Sequence, residues 1–415
     1  MTLTQAQARL AEAGQSSLLR FWEQSDAAQR SALLAQIEAL DWTSLTEMRS
    51  LLPDPDAVSA VVPAGVFEPA EVTRAVGSER QAAEIQGEAA LRAGEVGVIL
   101  VAGGQGTRLG FDGPKGTYPL DPVAHTTLFE IHALKILSLQ RRMGARIPLY
   151  VMTSPENDAA TRSFFEAHHY FGLDSVDVRF FAQGLLPALT PDGQLVLESP
   201  GRLFMGPDGH GGLLAALDRH GLLDDMQRRG LTSLFYFQVD NPMVEIADPV
   251  FVGLHLKRMA DVSVKVCAKR DSNEGLGVVV RRNGRWGMVE YTELTEARKN
   301  ARRADGSLVF QYGSVAIHIF TLEFLRREAR TGLPLHRAFK KVPYCDAHGR
   351  TLKPAQPNAY KFERFIFDVL PDASEVLVME FDRDDEFAPV KNAEGPDSPA
   401  TARAAMLAKQ ARQTA

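Results

Sequence analysis

Leu100-Val101-Ala102-Gly103-Gly104-Gln105-Gly106-Thr107-Arg108-Leu109-Gly110, followed shortly by Pro114-Lys115-Gly116, is the most informative stretch of the chain. The apolar run Val96 to Val101 leads into it and suits a buried parallel strand. A glycine-rich turn after such a strand lets backbone N–H groups converge on phosphate oxygens without side-chain obstruction. Arg108 and Lys115 bring the positive charge that a polyphosphate requires. Two familiar phosphate loops fail on spacing. A Walker A loop needs Gly before its lysine, whereas Lys115 follows Pro114. A dinucleotide fingerprint needs GxGxxG, whereas three residues separate Gly106 from Gly110. A turn that merely needs positive φ would account for the glycines but not for the two cations beside them.

Outward from this loop, strand and helix patterns alternate. A helix is expected near Thr127 to Arg142, with Leu128, Ile131, Leu134, Leu137 and Leu139 in the core. A strand at Pro148 to Thr153, a helix near Asn157 to His169 and a strand at Val176 to Phe181 follow. A helix at Gly212 to Arg228 precedes a strand at Ser233 to Val239. This alternation predicts an α/β domain with a mostly parallel sheet. Strands then come closer together, at Val262 to Ala268, Val278 to Arg282 and Trp286 to Tyr291, so the sheet becomes mixed. Asn283-Gly284 marks a hairpin. Tyr360 to Leu370 reads as a helix or a strand, Glu375 to Phe381 as a strand and Pro399 to Ala411 as a final helix.

Residues 1–90 differ in character. Leu10, Leu18, Leu19, Trp22, Leu33, Leu34, Ile37 and Leu40 recur at roughly helical spacing, and Pro53, Pro55, Pro63 and Pro69 then break the pattern. The expected organisation is a helical N-terminal region (1–90), an α/β domain that carries the glycine loop (91–333) and a short C-terminal lobe (334–415). The 415 residues carry 46 Lys plus Arg against 52 Asp plus Glu, a formal net charge of −6. That balance disfavours nucleic acid as a partner, because such binding rests on many Lys/Arg–phosphate contacts. Two cysteines, Cys267 and Cys345, form no disulfide framework and point to a reducing, cytoplasmic compartment. The first residues lack the pattern of a signal peptide, and no apolar run reaches the ~20 residues of a membrane span.

Asp240 ends the apolar run Ser233 to Val239. A carboxylate at the C-terminal end of a parallel strand faces the usual ligand crevice, and Mg²⁺ is commonly held by one or two carboxylates plus phosphates. Asp240 is therefore the candidate metal ligand; the competing role is an Asp capping the next turn.

The pattern LxxGGxGTRLG…PKG resembles the signature of sugar-nucleotide pyrophosphorylases. Further segments are Met152-Thr153-Ser154, Phe181-Ala182-Gln183-Gly184, Pro207-Asp208-Gly209-His210-Gly211-Gly212 and Val239-Asp240-Asn241. Val289-Glu290-Tyr291, Phe365-Ile366-Phe367-Asp368 and Lys391-Asn392-Ala393 complete the set. In this order they resemble the eukaryotic-type UDP-sugar pyrophosphorylases (UDPGP type 1 family), on the N-acetylglucosamine side of it. The resemblance implies a Rossmann-like, GT-A-like nucleotidyltransferase fold and UTP and a sugar 1-phosphate as substrates. No protein partner is inferable.

Carried onto this chain, the resemblance gives Gly103 and Gly104 to the nucleotide, and Arg108, Lys115 and Lys391 to phosphate and catalysis. Gln183 would pair through its amide with a donor and an acceptor of uracil. Gly209 and His210 would lie in a second glycine-rich loop over base and sugar. Gly277, Glu290 and Tyr291 match positions holding the hexose, and Phe365 and Phe367 an aromatic wall near the N-acetyl group. On a strand the two rings would share a face, whereas a helix would splay them; a core role for both is the alternative.

Two departures fall near the sugar. The family pattern has Asn at both His210 and Ser314. Ser314 is shorter but still donates or accepts, including through water. N-acetylglucosamine 1-phosphate is the expected substrate, with glucose or galactose 1-phosphate as rivals. The family's eukaryotic members continue past the region of Thr401-Ala402-Arg403, so an oligomer built by that extension is not carried over. A non-catalytic nucleotide-sugar sensor would have lost its charged groups; Arg108, Lys115, Asp240 and Lys391 are present.

Overall fold

The computed structural model describes residues 1–53, 67–121 and 123–414. Pro55 and Pro63 of the expected linker lie outside the described residues. The chain divides into two compact units that interleave in sequence. One comprises Met1–Val62, Gly184–Gly212 and Leu333–Ile366; the other comprises Pro63–Gln183, Leu213–Gly332 and Phe367–Ala415. The three consecutive segments expected from composition cut the chain differently, because each unit is assembled from stretches that composition treats separately.

The larger unit is built on a seven-stranded sheet. From one edge to the other its strands are Val376–Glu380, Val262–Ala268, Tyr312–Thr321, Ser233–Gln238, Val96–Val101, Leu149–Thr153 and Val178–Ala182. All neighbouring pairs are parallel except the two made by Tyr312–Thr321, which runs antiparallel to both its neighbours. The mixed, mostly parallel α/β sheet is therefore as expected. Val98, Leu100, Val151, Phe235 and Phe237 contribute to a single large core. The helix Leu128–Met143 packs Leu128 and Leu139 into it, but Leu134 is exposed. The apolar spacing that includes Leu134 is wider than the face this helix buries. Thr127 caps its start through Glu130 N–H, and Gly144 closes its end at φ 65°.

The expected helix over Gly212 to Arg228 is two helices, Leu213–Arg219 and Leu222–Arg228. Gly221, at φ 66°, breaks the run between them. A small antiparallel sheet joins Phe67–Pro69, Val278–Arg282 and Arg285–Val289. Asn283 and Gly284 both have positive φ (52° and 78°), as a type I′ hairpin demands. The last of these strands ends at Val289, so Glu290 and Tyr291 lie beyond it rather than within it.

The smaller unit holds the helices Leu3–Glu12, Ala27–Ala39 and Trp42–Ser50, each capped by a side chain, from Thr2, Asp26 and Asp41 respectively. Leu10, Leu18, Leu33, Ile37 and Leu40 form a core with Leu189, Leu197 and Phe362. The helix Gly77–Arg92, most of which also falls within 1–90, belongs to the other unit.

Candidate active site

The glycine loop leaves the Val96–Val101 strand at the C-terminal edge of the parallel sheet. Positive φ within it occurs at Gly110 and Gly113 only, among the described glycines of 103–116. Gly116 is required for clearance instead, and Gly103 makes a close approach. A Cβ on Gly103 would sit 3.0 Å from Gln183 Nε2, and one on Gly116 would strike the ring of Phe129. Gly104 has open space around it, which leaves its backbone accessible to a ligand. Asn157 ties this loop to the next strand: Nδ2 donates to Ala102 O (3.0 Å), while Oδ1 accepts from Ser154 N–H (2.8 Å). Gln183 is buried, follows the strand Val178–Ala182 and donates its backbone N–H to Thr153 O.

Lys115 is buried, in a short 3-10 turn held by its own N–H donating to Gly104 O at 3.0 Å. Its Nζ lies 3.6 Å from Asp240 Oδ2. Burial pulls the Lys115 ammonium below the usual lysine range; Asp240 opposes this, and Arg108 and Lys391 reinforce it. The loop thus brings three cations and one carboxylate together, at positions 108, 115, 391 and 240. Arg108 is exposed, in the Thr107–Leu109 turn. Lys391 is half-buried, its backbone N–H donating to Asp397 O at 2.6 Å.

Asp240 follows the end of the Ser233–Gln238 strand. The turn after it is held from two directions. From the helix Leu128–Met143, His132 Nε2 donates to Val239 O (3.0 Å), and Lys135 Nζ donates to Pro242 O (2.7 Å) and Val244 O (2.8 Å). Burial drives His132 down to about 3 and Lys135 down to about 8. From the C-terminal segment, Val390 N–H donates to Asp240 O at 2.8 Å. These supporting residues, with Asn157 and Asn241, escaped the sequence reading. Only Asn157, three residues after Ser154 and just before a helix, carried a local signal, that of a short amide-to-backbone turn.

On the sugar side of the expectation, four residues of the same unit come together. Ser314 N–H donates to Gly277 O at 2.8 Å. A Cβ on Gly277 would sit 3.1 Å from Glu290 Oε1, and the Tyr291 ring is 3.4 Å from the corresponding point on Gly275. The strand carrying Ser314 runs antiparallel to Ser233–Gln238, so its N-terminal end reaches the same sheet edge as Asp240. A bulge with Ala316 at φ 59° interrupts that strand beside Ser314.

Gly209, His210 and Phe365 belong to the smaller unit. His210 opens a 3-10 turn, its ring stacked on Phe365 with centroids 5.4 Å apart. Its Nδ1 accepts from Ile366 N–H at 3.1 Å, which places the ring proton on Nε2. Burial lowers His210 to about 4. A Cβ on Gly209 would strike the Arg364 backbone, so that loop is packed against 364–366. Phe365 and Phe367 do not share a strand face: Ala359–Glu363 ends before Phe365, and Phe367 lies in the 3-10 segment Ile366–Asp372 of the larger unit.

The family model described as UTP–glucose-1-phosphate uridylyltransferase matches residues 68–406. The chain is 40% identical to the human UDP-N-acetylhexosamine pyrophosphorylase-like protein 1, over 98% of this chain and 84% of that protein. It is 35% identical to the Saccharomyces cerevisiae UDP-N-acetylglucosamine pyrophosphorylase, over 95% of this chain and 88% of that protein. The crystal structure of the uridine diphosphate N-acetylglucosamine pyrophosphorylase from Trypanosoma brucei superposes with a TM-score of 0.82 at 31% identity, covering 98% of this chain and 84% of that one. Among the described residues no helix is long and apolar enough to cross a membrane.

Proposed function

The chain belongs to the UTP–glucose-1-phosphate uridylyltransferase family, and from that membership we propose that it joins UTP and N-acetylglucosamine 1-phosphate into UDP-N-acetylglucosamine, releasing pyrophosphate. The observation that carries the reading is the buried Lys115, paired with Asp240 and crowded by Arg108 and Lys391 beside a glycine loop. A buried ammonium among other cations is a costly arrangement that a polyanionic ligand relieves.

In the proposed reaction an oxygen of the sugar phosphate attacks the α-phosphorus of UTP in line. The bond from the α-phosphorus to the bridging oxygen breaks, and pyrophosphate leaves with the bonding pair. Such transfer asks the protein for alignment and charge neutralisation rather than covalent chemistry. Gly103 and Gly104 would admit the phosphates to the backbone, and Arg108, Lys115 and Lys391 would neutralise charge growing on pyrophosphate. Gln183 would read uracil. Gly277, Glu290, Tyr291 and Ser314 would hold the hexose, with Gly209, His210, Phe365 and Phe367 assigned to base and sugar. A Mg²⁺ ion suits Asp240, a single carboxylate with few neighbouring acids: among the described residues no cluster of three or more ligating side chains forms, so phosphate oxygens would complete the shell. When bound it would supply further charge neutralisation. Both cysteines are free and buried, which suits the reducing cytoplasm.

Pyrophosphate release from UTP is the test, with Mg²⁺ and a panel of N-acetylglucosamine, glucose and galactose 1-phosphates. The expected result is the highest kcat/KM for N-acetylglucosamine 1-phosphate and loss of turnover with chelator. The serine at 314 favours a second reading, a glucose or galactose substrate, and the poorest kcat/KM for N-acetylglucosamine 1-phosphate would establish it. UTP binding with no turnover on any sugar phosphate would make the protein a sensor.

A further inference from the structure

Lys391 lies far along the chain from Asp240, on a segment without regular structure between Glu386 and Ser398. Irregular backbone places a side chain reliably only where other groups fix it. Asn241 does so here. Its side chain is buried, and its amide spans the start of that segment: Nδ2 donates to Glu386 O at 2.7 Å, and Oδ1 accepts from Ala388 N–H at 3.2 Å. Oδ1 also accepts from Met243 N–H at 3.3 Å, which fixes the amide to its own turn. Two residues further on, Val390 N–H donates to Asp240 O, completing a short ladder between 240–241 and 386–390.

The same end of the segment is anchored by its side chain as well. The Glu386 carboxylate meets the fully buried Lys265 Nζ at 2.6 Å, and the same ammonium meets Asp248 Oδ2 at 2.9 Å. Lys265 belongs to the central-sheet strand Val262–Ala268. Beyond Lys391, the backbone N–H groups of Lys391 and Asn392 both donate to Asp397 O, and Arg270 meets Asp397 Oδ1 at 3.2 Å.

We propose that Asn241 is a positioning residue whose two-ended amide sets the backbone that carries Lys391, and so aligns the Lys391 ammonium with Asp240 and Lys115. The proposal rests on the reading above that Lys391 neutralises phosphate charge. Asn241 needs no contact with substrate to act in this way. An aspartate would keep the acceptor for Ala388 and Met243 but lose the donor to Glu386 O, and an alanine would lose both.

The experiment is a double-mutant cycle on the full chain with Asn241→Ala and Lys391→Ala, read by kcat for pyrophosphate release and by thermal unfolding. Asn241→Ala is expected to lower kcat by ~10²-fold, the cost of an ångström-scale misplacement. In the Lys391→Ala background the same change is expected to cost less than ~3-fold, because the group it positions is gone. A full loss repeated in that background, or unchanged kcat in Asn241→Ala, overturns the proposal. Unchanged kcat in Lys391→Ala alone overturns the earlier reading of Lys391 and with it the basis of this one. Asn241→Asp, which conserves shape, runs in the same cycle with the same criterion and serves if the alanine variant does not fold.

Discussion

Lys115 shows how a single position acquires chemistry. Its charge and its place beside a glycine turn are local facts, legible from Pro114-Lys115-Gly116. Arg108 belongs to the same stretch, whereas the burial of Lys115, its pairing with Asp240 and the nearby Lys391 are not local. Replacing Lys115 by Ala is expected to lower kcat by on the order of 10²-fold or more, measured as pyrophosphate release, because the lost charge acts where negative charge develops. Unaltered kcat would remove Lys115 from the machinery. Gln183 and Gly103 were legible separately, but only the fold brings Gln183 Nε2 to 3.0 Å from the point a Cβ on Gly103 would occupy. Asn241, His132 and Lys135 carry no such local signal, and Asn157 only that of a short amide-to-backbone turn. Each acts mainly on backbone groups, and backbone groups carry no sequence signature.

At the scale of elements, the parallel strands were legible because each is a short apolar run bounded by turns. Tyr312–Thr321 carries no single period that marks it as a strand. Its burial alternates up to Ile317 and then becomes continuous, and the bulge at Ala316 interrupts its register, so neither a strand period nor a helix period holds throughout. The helix Pro249–Arg258 was hidden for a related reason: it is buried over its first seven residues and shows no polar face there. It crosses the helix Gly77–Arg92 through paired glycines. A Cβ on Gly253 would strike Ala83 O, and one on Gly87 would strike Pro249 O. Both obstacles are backbone atoms, so no rotamer change relieves them. Gly253→Ala is therefore expected to destabilise the fold by ~1–3 kcal/mol, read as a lower denaturation midpoint in urea. A midpoint equal to that of the parent would mean that the helices part without cost.

At the scale of the whole molecule, buried histidines link stability to pH, His132 and His255 alongside His210. Burial lowers His132 to about 3 and His255 to about 4, from 6.5. In the unfolded chain both take up a proton as pH falls through 6.5, while in the fold they stay neutral until the lower values. The unfolded state therefore binds more protons in this window, and stability present above pH 6.5 is lost as pH falls toward 4. The unfolding temperature is expected to fall between pH 7 and pH 4.5. His255→Gln should reduce that fall by the equivalent of ~2 kcal/mol, for a shift of about two pH units at one site. An identical pH dependence in the variant would exclude His255 as a contributor.

The sequence by itself determined the glycine loop with its two cations, the alternation of strands and helices, and the family. Each of these rests on residues within a few positions of one another, where backbone period and turn chemistry act directly. The tertiary structure decided which distant residues share a site. Lys391 comes into electrostatic range of Lys115 only because the segment after Val376–Glu380 returns to Asp240, where Val390 N–H meets its carbonyl, and is held by Asn241 and Lys265. The interleaving of the two units and the break between Phe365 and Phe367 were decided in the same way. Sheet order and long-range hydrogen bonds fix such meetings, and they depend on where the chain returns in space rather than on its local pattern.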